Sequence, residues 1–238
     1  MANMVALERM LQSQGFGSRK ECRQLIRDGR FELEGRVVQE PFLNMAVDGM
    51  EFTVDGVAWT YRPRAYVMLH KPEGYECSRS PRHHPGVLTL LPEPLERRGV
   101  QPVGRLDEDT TGLLLLSDDG DFIHRLISPR YKVPKVYRVT AKHPVSSDQL
   151  AALLEGVLLH DETEPVAAMN CEKVSDRLLT LTLAEGRYHQ VKRMVAAAGN
   201  RVEALARVAI GGLGLPDDLP PGAWRWLEAE DLARFQPD

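Results

Sequence analysis

Arg105-Leu106-Asp107-Glu108-Asp109-Thr110-Thr111-Gly112 places a guanidinium, carboxylates and hydroxyls directly before the apolar run Leu113–Leu116. A short, continuous apolar run closed by Ser117-Asp118-Asp119-Gly120 reads as a strand buried on both faces. Asp107 then lies in a loop entering the core, between Gly104 and Gly112, where the backbone can bend. A carboxylate there is either paired with a cation or has a chemical role, because acids are rarely buried alone. Arg105 and Arg207 are candidate cations, and local spacing selects neither. An ionised carboxylate can act as a nucleophile or stabilise a positive charge. Asp107 and Asp109 can alternatively be the acid pair of a glycosidase-like hydrolase, which needs them about 5–9 Å apart across a pocket. The plainest alternative is that both cap a turn.

Two further stretches carry chemistry. Pro129-Arg130-Tyr131-Lys132-Val133-Pro134-Lys135 interleaves Arg130, Lys132 and Lys135 with an aromatic, which suits contact with RNA backbone and bases. Glu185-Gly186-Arg187-Tyr188-His189-Gln190-Val191-Lys192-Arg193-Met194 is polar and then opens a helix that stops at Gly199-Asn200. His83-His84 has no third ligand at a recognisable spacing, so no metal is expected.

The elements that must position these residues follow from pattern. Leu7, Met10 and Leu11 mark one face of a short helix. Gly15-Phe16-Gly17 breaks it, and Ser18 with Glu21 forms a capping box for a second helix ending at Gly29. Arg19, Arg23 and Arg27 recur every four residues on that helix, flanked by Lys20, while Cys22, Leu25 and Ile26 point inward. Glu34-Gly35 and Asp55-Gly56 are hairpin turns. Tyr61-Arg62-Pro63-Arg64 reads as a linker, giving a domain at 1–60 and another at 61–238. In the second, Ala65–His70 is a strand, Ser78–Leu95 a loop, and Asp121–Ile127 a helix with Phe122, Leu126 and Ile127 inward. Ser146–Val157 is a helix with Leu150, Leu153 and Leu154 inward. Leu178–Leu183 is a half-buried strand.

Of the 238 residues, 43% are hydrophobic, which is ordinary for a globular chain. No stretch approaches the roughly 18 apolar residues of a membrane span. The first residues lack the charged and apolar regions of a signal peptide. Cys22, Cys77 and Cys171 are scattered and odd in number, so they read as reduced thiols of a cytoplasmic protein. The net charge of −4 is unlike that of many nucleic-acid binders. From Gly214 onward six acids face two arginines, which accounts for the whole excess. Local basic clusters elsewhere can still form an RNA face.

Gly104-Arg105-Leu106-Asp107-x-Asp109-Thr110-Thr111-Gly112-Leu113 resembles the signature of the RNA pseudouridine synthases, in the RsuA branch that acts on ribosomal RNA. Lys71-Pro72-Glu73-Gly74, Lys135-Val136-Tyr137-Arg138-Val139 and the Glu185–Met194 stretch match further motifs in the same order. The helix, basic helix and Gly-turn hairpin at the start are similar to an S4 RNA-binding domain. The resemblance implies Asp107 as nucleophile, Lys192 as its cationic partner and Tyr137 against the target base. It implies Leu205 as a pocket wall and Arg105, Leu106, Thr110, Arg187 and Arg207 as further substrate-binding residues. Many relatives carry Arg where this chain has Lys192, and a lysine keeps the charge but loses the two-pronged fork. The family assigns His189 no role as a base. The implied fold is α+β, with a mixed, mainly antiparallel sheet flanked by helices behind the S4-like domain. The implied reaction needs no cofactor. The implied partner is ribosomal RNA or a partly assembled small subunit, met by a monomer without a membrane.

Overall fold

The computed structural model describes residues 4–78, 80–160 and 162–235. Met1–Asn3, Arg79, Asp161 and Gln236–Asp238 lie outside them, so the outermost ends of both expected domains and the last acid of the tail go undescribed. The chain divides into two compact units, Met1–Ala65 with Leu91–Gln101, and Tyr66–Leu90 with Pro102–Asp238. The division thus falls one residue beyond the expected linker. It also returns a later segment to the first unit, because packing rather than chain order defines a unit.

In the first unit Leu7–Ser13 is a helix whose Leu7, Met10 and Leu11 are fully buried. Gly15 and Gly17 adopt positive φ between it and the Arg19–Arg27 helix. The Ser18–Glu21 capping box is formed in both directions, and Cys22, Leu25 and Ile26 are buried. Glu34-Gly35 and Asp55-Gly56 take positive φ at both positions. Each closes a two-residue hairpin of the type that matches strand twist. The resulting antiparallel sheet runs Arg36–Val37, Phe31–Leu33, Glu51–Val54, Val57–Thr60. At the end of the expected Ser78–Leu95 loop, and running past it, the structure instead has a short helix, Glu93–Arg97, with Pro94 in its first turn.

The second unit is built on a mixed sheet. Its main path runs Asn170–Lys173, Leu178–Leu183, Lys135–Ala141, Val202–Ile210, Thr110–Ser117, Tyr66–Lys71, Trp224–Trp226. Along this path only Val202–Ile210 and Thr110–Ser117 pair in parallel. Leu113–Leu116 lie at the centre and are wholly buried, as expected for a strand covered on both faces.

The parallel pair is what assembles the site. It sets Leu205 beside Thr110 and Arg207 beside Gly112. Gly112 has φ +102°, and a Cβ there would lie 2.2 Å from the Arg207 carbonyl oxygen. The close approach of the two strands therefore requires glycine at that position.

Two helix faces differ from expectation. In Gly120–Ile127, capped by Asp119, the residues packed on the sheet are Phe122, Ile123 and Leu126. Ile127 is exposed because it lies one step further round the helix than Leu126. In Ser147–Glu155 Leu153 alone is fully buried and Leu154 is exposed.

Candidate active site

Three anchors hold the Gly104–Asp109 loop. The Leu106 N–H donates to Cys77 Sγ at 3.4 Å. The Thr110 N–H donates to the Asp107 carbonyl at 3.1 Å. Lys71, fully buried, donates its ammonium to the carbonyls of Pro72 (3.1 Å), Glu108 (2.9 Å) and Thr110 (2.9 Å). Burial lowers the Lys71 pKa, and the three aimed carbonyls are what such a cation needs. The Lys-Pro-x-Gly turn is thereby fastened to both sides of Asp109, and Gly74 N–H adds a bond to Glu108 O at 3.1 Å.

The Gln190–Ala197 helix brings the cation. Lys192 Nζ lies 3.1 Å from Asp107 Oδ2, and 2.6 and 2.9 Å from the two Asp109 oxygens. Burial acts on the Lys192 pKa most strongly and lowers it, but the bonds to Asp109 and Asp107 together outweigh it and the net shift is upward. The ammonium is therefore charged at neutral pH. His189 precedes the helix with φ +48° and sets its Nε2 3.3 Å from Asp107 Oδ1. Asp107 thus meets a different residue at each oxygen, which fixes the plane of its carboxylate. The sequence reading offered Arg105 or Arg207 by position and Lys192 by resemblance, and the structure brings Lys192.

A cavity of about 890 Å³ opens on Asp107, within the usual size for a small-ligand site. Leu106, Tyr137, Leu183, Leu205 and Ile210 supply apolar walls, with Lys135 and Arg207 among them. Tyr137 stands opposite Arg207 in the antiparallel ladder, and Val139 opposite Leu205. Arg207 is buried and donates Nε to the Leu113 carbonyl at 2.9 Å. The arrangement sets the Asp107 carboxylate on the lining of a cavity with apolar walls. Asp109 does not line this cavity. The two-acid hydrolase geometry, with both carboxylates facing one pocket, is therefore not met.

All of Arg105, Leu106, Asp107, Thr110, Tyr137, Arg187, Lys192, Leu205 and Arg207 line the cavity. Arg187 is tied to Glu162 at 2.7 Å and Glu185 at 2.8 Å. Arg130 and Lys132 are exposed, as a backbone-contacting segment would be, but they do not line the cavity. Lys135 is different: it is buried, lines the cavity and donates to the Val133 carbonyl at 2.8 Å. Burial, then the nearby Arg207 charge, pushes its pKa down to about 8. It is a pocket lysine rather than the surface contact expected from the run of basic residues. Alternation along its strand was the available signal, since Lys135, Tyr137, Val139 and Ala141 share the buried face.

On the first unit Arg19, Lys20 and Arg27 are exposed, whereas Arg23 is half-buried and ion-paired with the buried Glu8. Residues that sequence reasoning gave no role are His189, Gln190 and Glu76. The Glu76 carboxylate accepts the backbone N–H groups of Arg82, His83 and His84 at 3.1, 2.9 and 3.0 Å. It folds the histidine-containing loop into one wall of the cavity. No group of three His, Cys, Asp or Glu suited to a metal is present among the described residues. Nor is any described helix long and apolar enough to cross a membrane.

Residues 65–197 match the family model described as RNA pseudouridylate synthase. The chain belongs to the RNA pseudouridylate synthase family. Among its synthase relatives, the ribosomal small subunit pseudouridine synthase A of Yersinia pestis is 40% identical over 228 residues, covering 95% of this chain and 96% of the relative. The protein of that name from Escherichia coli strain K12 is 42% identical over 214 residues, covering 87% and 90%. A crystal structure of a pseudouridylate synthase superposes with a TM-score of 0.70 at 34% identity, covering 98% of this chain and all of the other. The synthase fold, with its mixed sheet and flanking helices, therefore extends over the second unit as the α+β reading expected.

Proposed function

We propose that this chain isomerises one uridine of small-subunit ribosomal RNA to pseudouridine, with Asp107 as the nucleophile. The observation that carries the reading is Asp107 held between Lys192 and His189 on the lining of a cavity with both apolar and basic walls. The relatives named for the small subunit supply the substrate.

The reaction breaks the N1–C1′ bond, turns the base and joins C1′ to C5, and the C5 proton leaves while N1 takes up a proton. Nothing is oxidised and no water is added, so no redox partner is called for. The uridine must leave its stack, which costs a few kcal/mol recovered by contacts in the slot. Tyr137 and Leu205 grip the ring faces. Lys192 pairs with the Asp107 carboxylate and holds it in place. In this reading Tyr137 also takes part in removal of the C5 proton.

The first unit is an S4-like RNA-binding module in this reading. Arg19, Lys20 and Arg27 contact phosphates there, and Arg130 and Lys132 do so on the synthase unit, giving affinity that falls with salt. Arg23 contributes less, because its charge is taken up by Glu8. The protein acts as a cytoplasmic monomer on ribosomal RNA or a partly assembled small subunit. Pseudouridine mapping of small- and large-subunit rRNA incubated with the protein tests the reading. One new site in the small subunit supports it, a large-subunit site corrects the substrate, and none on either rRNA removes it.

A further inference from the structure

The cavity beside Asp107 holds buried polar atoms that the protein leaves without partners. Gln190 Nε2, Arg207 Nη2 and Thr110 Oγ1 are each buried and make no hydrogen bond within the chain. Gln190, Arg207 and Thr110 are all at least nine-tenths buried, and all three line this one cavity. Buried donors are almost always satisfied, so such a cluster marks a place that a ligand completes.

The chain also fixes which ends are left over. Gln190 Oε1 accepts the Arg187 N–H at 2.8 Å, so the amide is locked with its NH₂ as the unused end. Arg207 Nε is spent on the Leu113 carbonyl at 2.9 Å, which holds the guanidinium plane. Gln190 Nε2 and Arg207 Nη2 can only donate, while the Thr110 hydroxyl can donate or accept. The site therefore wants two acceptors and tolerates a donor. Uracil presents O2 and O4 with an N3–H between them. Cytosine presents an amino group in place of O4, which would set donor against donor. A phosphate would also satisfy donors, but the Tyr137 and Leu205 walls suit a flat ring rather than an anion.

We propose that Gln190 reads O4 of the flipped base and Arg207 reads O2, so that Gln190 is a residue selecting uridine over cytidine. This rests on the functional reading above. A site built to hydrogen-bond its substrate rejects an analogue that leaves those groups unpaired.

The experiment uses the full chain and a small-subunit rRNA transcript whose modified uridine has been mapped with the wild type. A matched transcript carries cytidine at that position, and the two compete for binding. The wild type prefers the uridine transcript, and Gln190→Glu reduces that preference by about tenfold. Glutamate keeps the acceptor for the Arg187 N–H and replaces only the donor. On the RNA side, a transcript with 2-thio- or 4-thiouridine at the site binds the wild type several-fold more weakly, since sulfur is a poor acceptor. This second measurement does not depend on any variant folding. An unchanged uridine-to-cytidine ratio in a folded Gln190→Glu overturns the proposal, as does an equal loss on both transcripts, the mark of a phosphate contact. So does a wild type indifferent to both thio substitutions. A missing modification site would sink the functional reading, and this proposal with it. An unchanged ratio at a mapped site would sink this proposal alone.

Discussion

Lys192 is bound more closely to Asp109 than to Asp107: its ammonium lies 2.6 and 2.9 Å from the two Asp109 oxygens and 3.1 Å from Asp107. Asp109 faces away from the main cavity, into a smaller depression it shares with Lys192. It therefore acts as a tether that sets where the cation stands beside the proposed nucleophile.

The tether makes a prediction that separates the two acids. Asp109→Asn leaves a hydrogen-bond acceptor but removes one charge, so Lys192 stays near Asp107 in looser geometry. Single-turnover pseudouridine formation should fall by about tenfold, the value of roughly one charge-assisted bond. A loss as complete as that from replacing Asp107 would mean that Asp109 itself reacts.

Lys71 anchors the loop from behind. Lys71→Met keeps most of the volume but leaves the Pro72, Glu108 and Thr110 carbonyls without their donor. The synthase unit should lose about 3 kcal/mol in urea unfolding. Pseudouridine formation should drop even under conditions where the variant is folded. Stability within about 0.5 kcal/mol of wild type would show that water replaces the ammonium at no cost.

Lys135 gives a pH dependence. Burial holds its pKa near 8 against the ordinary 10.5. Between those values the unfolded chain keeps the proton that the folded chain has shed. Stability from this group therefore rises with pH across that window and is lowest below pH 8. The rise is worth up to about 3 kcal/mol. Lys135→Met should be the more stable chain at pH 7, and the gap should close as the pH approaches 10.5. Denaturation curves for both proteins at several pH values measure it, and a constant gap contradicts the assignment.

Local features were legible in the sequence because their causes are local. The Ser18–Glu21 capping box, the Glu34-Gly35 and Asp55-Gly56 turns and the buried Leu113–Leu116 strand each depend on neighbours a few residues away. The cationic partner of Asp107 was not legible from spacing. It comes from a helix more than 80 residues along the chain, and sheet order alone brings it there. Arg23 looked like part of an exposed stripe because its partner, Glu8, sits on the preceding helix. The burial of Lys135 was not legible because its basic neighbours outweighed the strand alternation that places it on the same face as Tyr137. The Glu93–Arg97 helix was hidden by its prolines, one of which lies in its first turn.

The proposed roles converge on Asp107. Its carboxylate touches Lys192 and His189 and opens on the slot, so removing its charge should stop the chemistry and spare the fold. The most direct measurement maps pseudouridine in small-subunit rRNA after incubation with wild type and with Asp107→Asn, with RNA binding followed in parallel. The account predicts one new pseudouridine with the wild type, none with Asp107→Asn, and comparable RNA affinity for both. Pseudouridine formed by Asp107→Asn at the wild-type rate would contradict it.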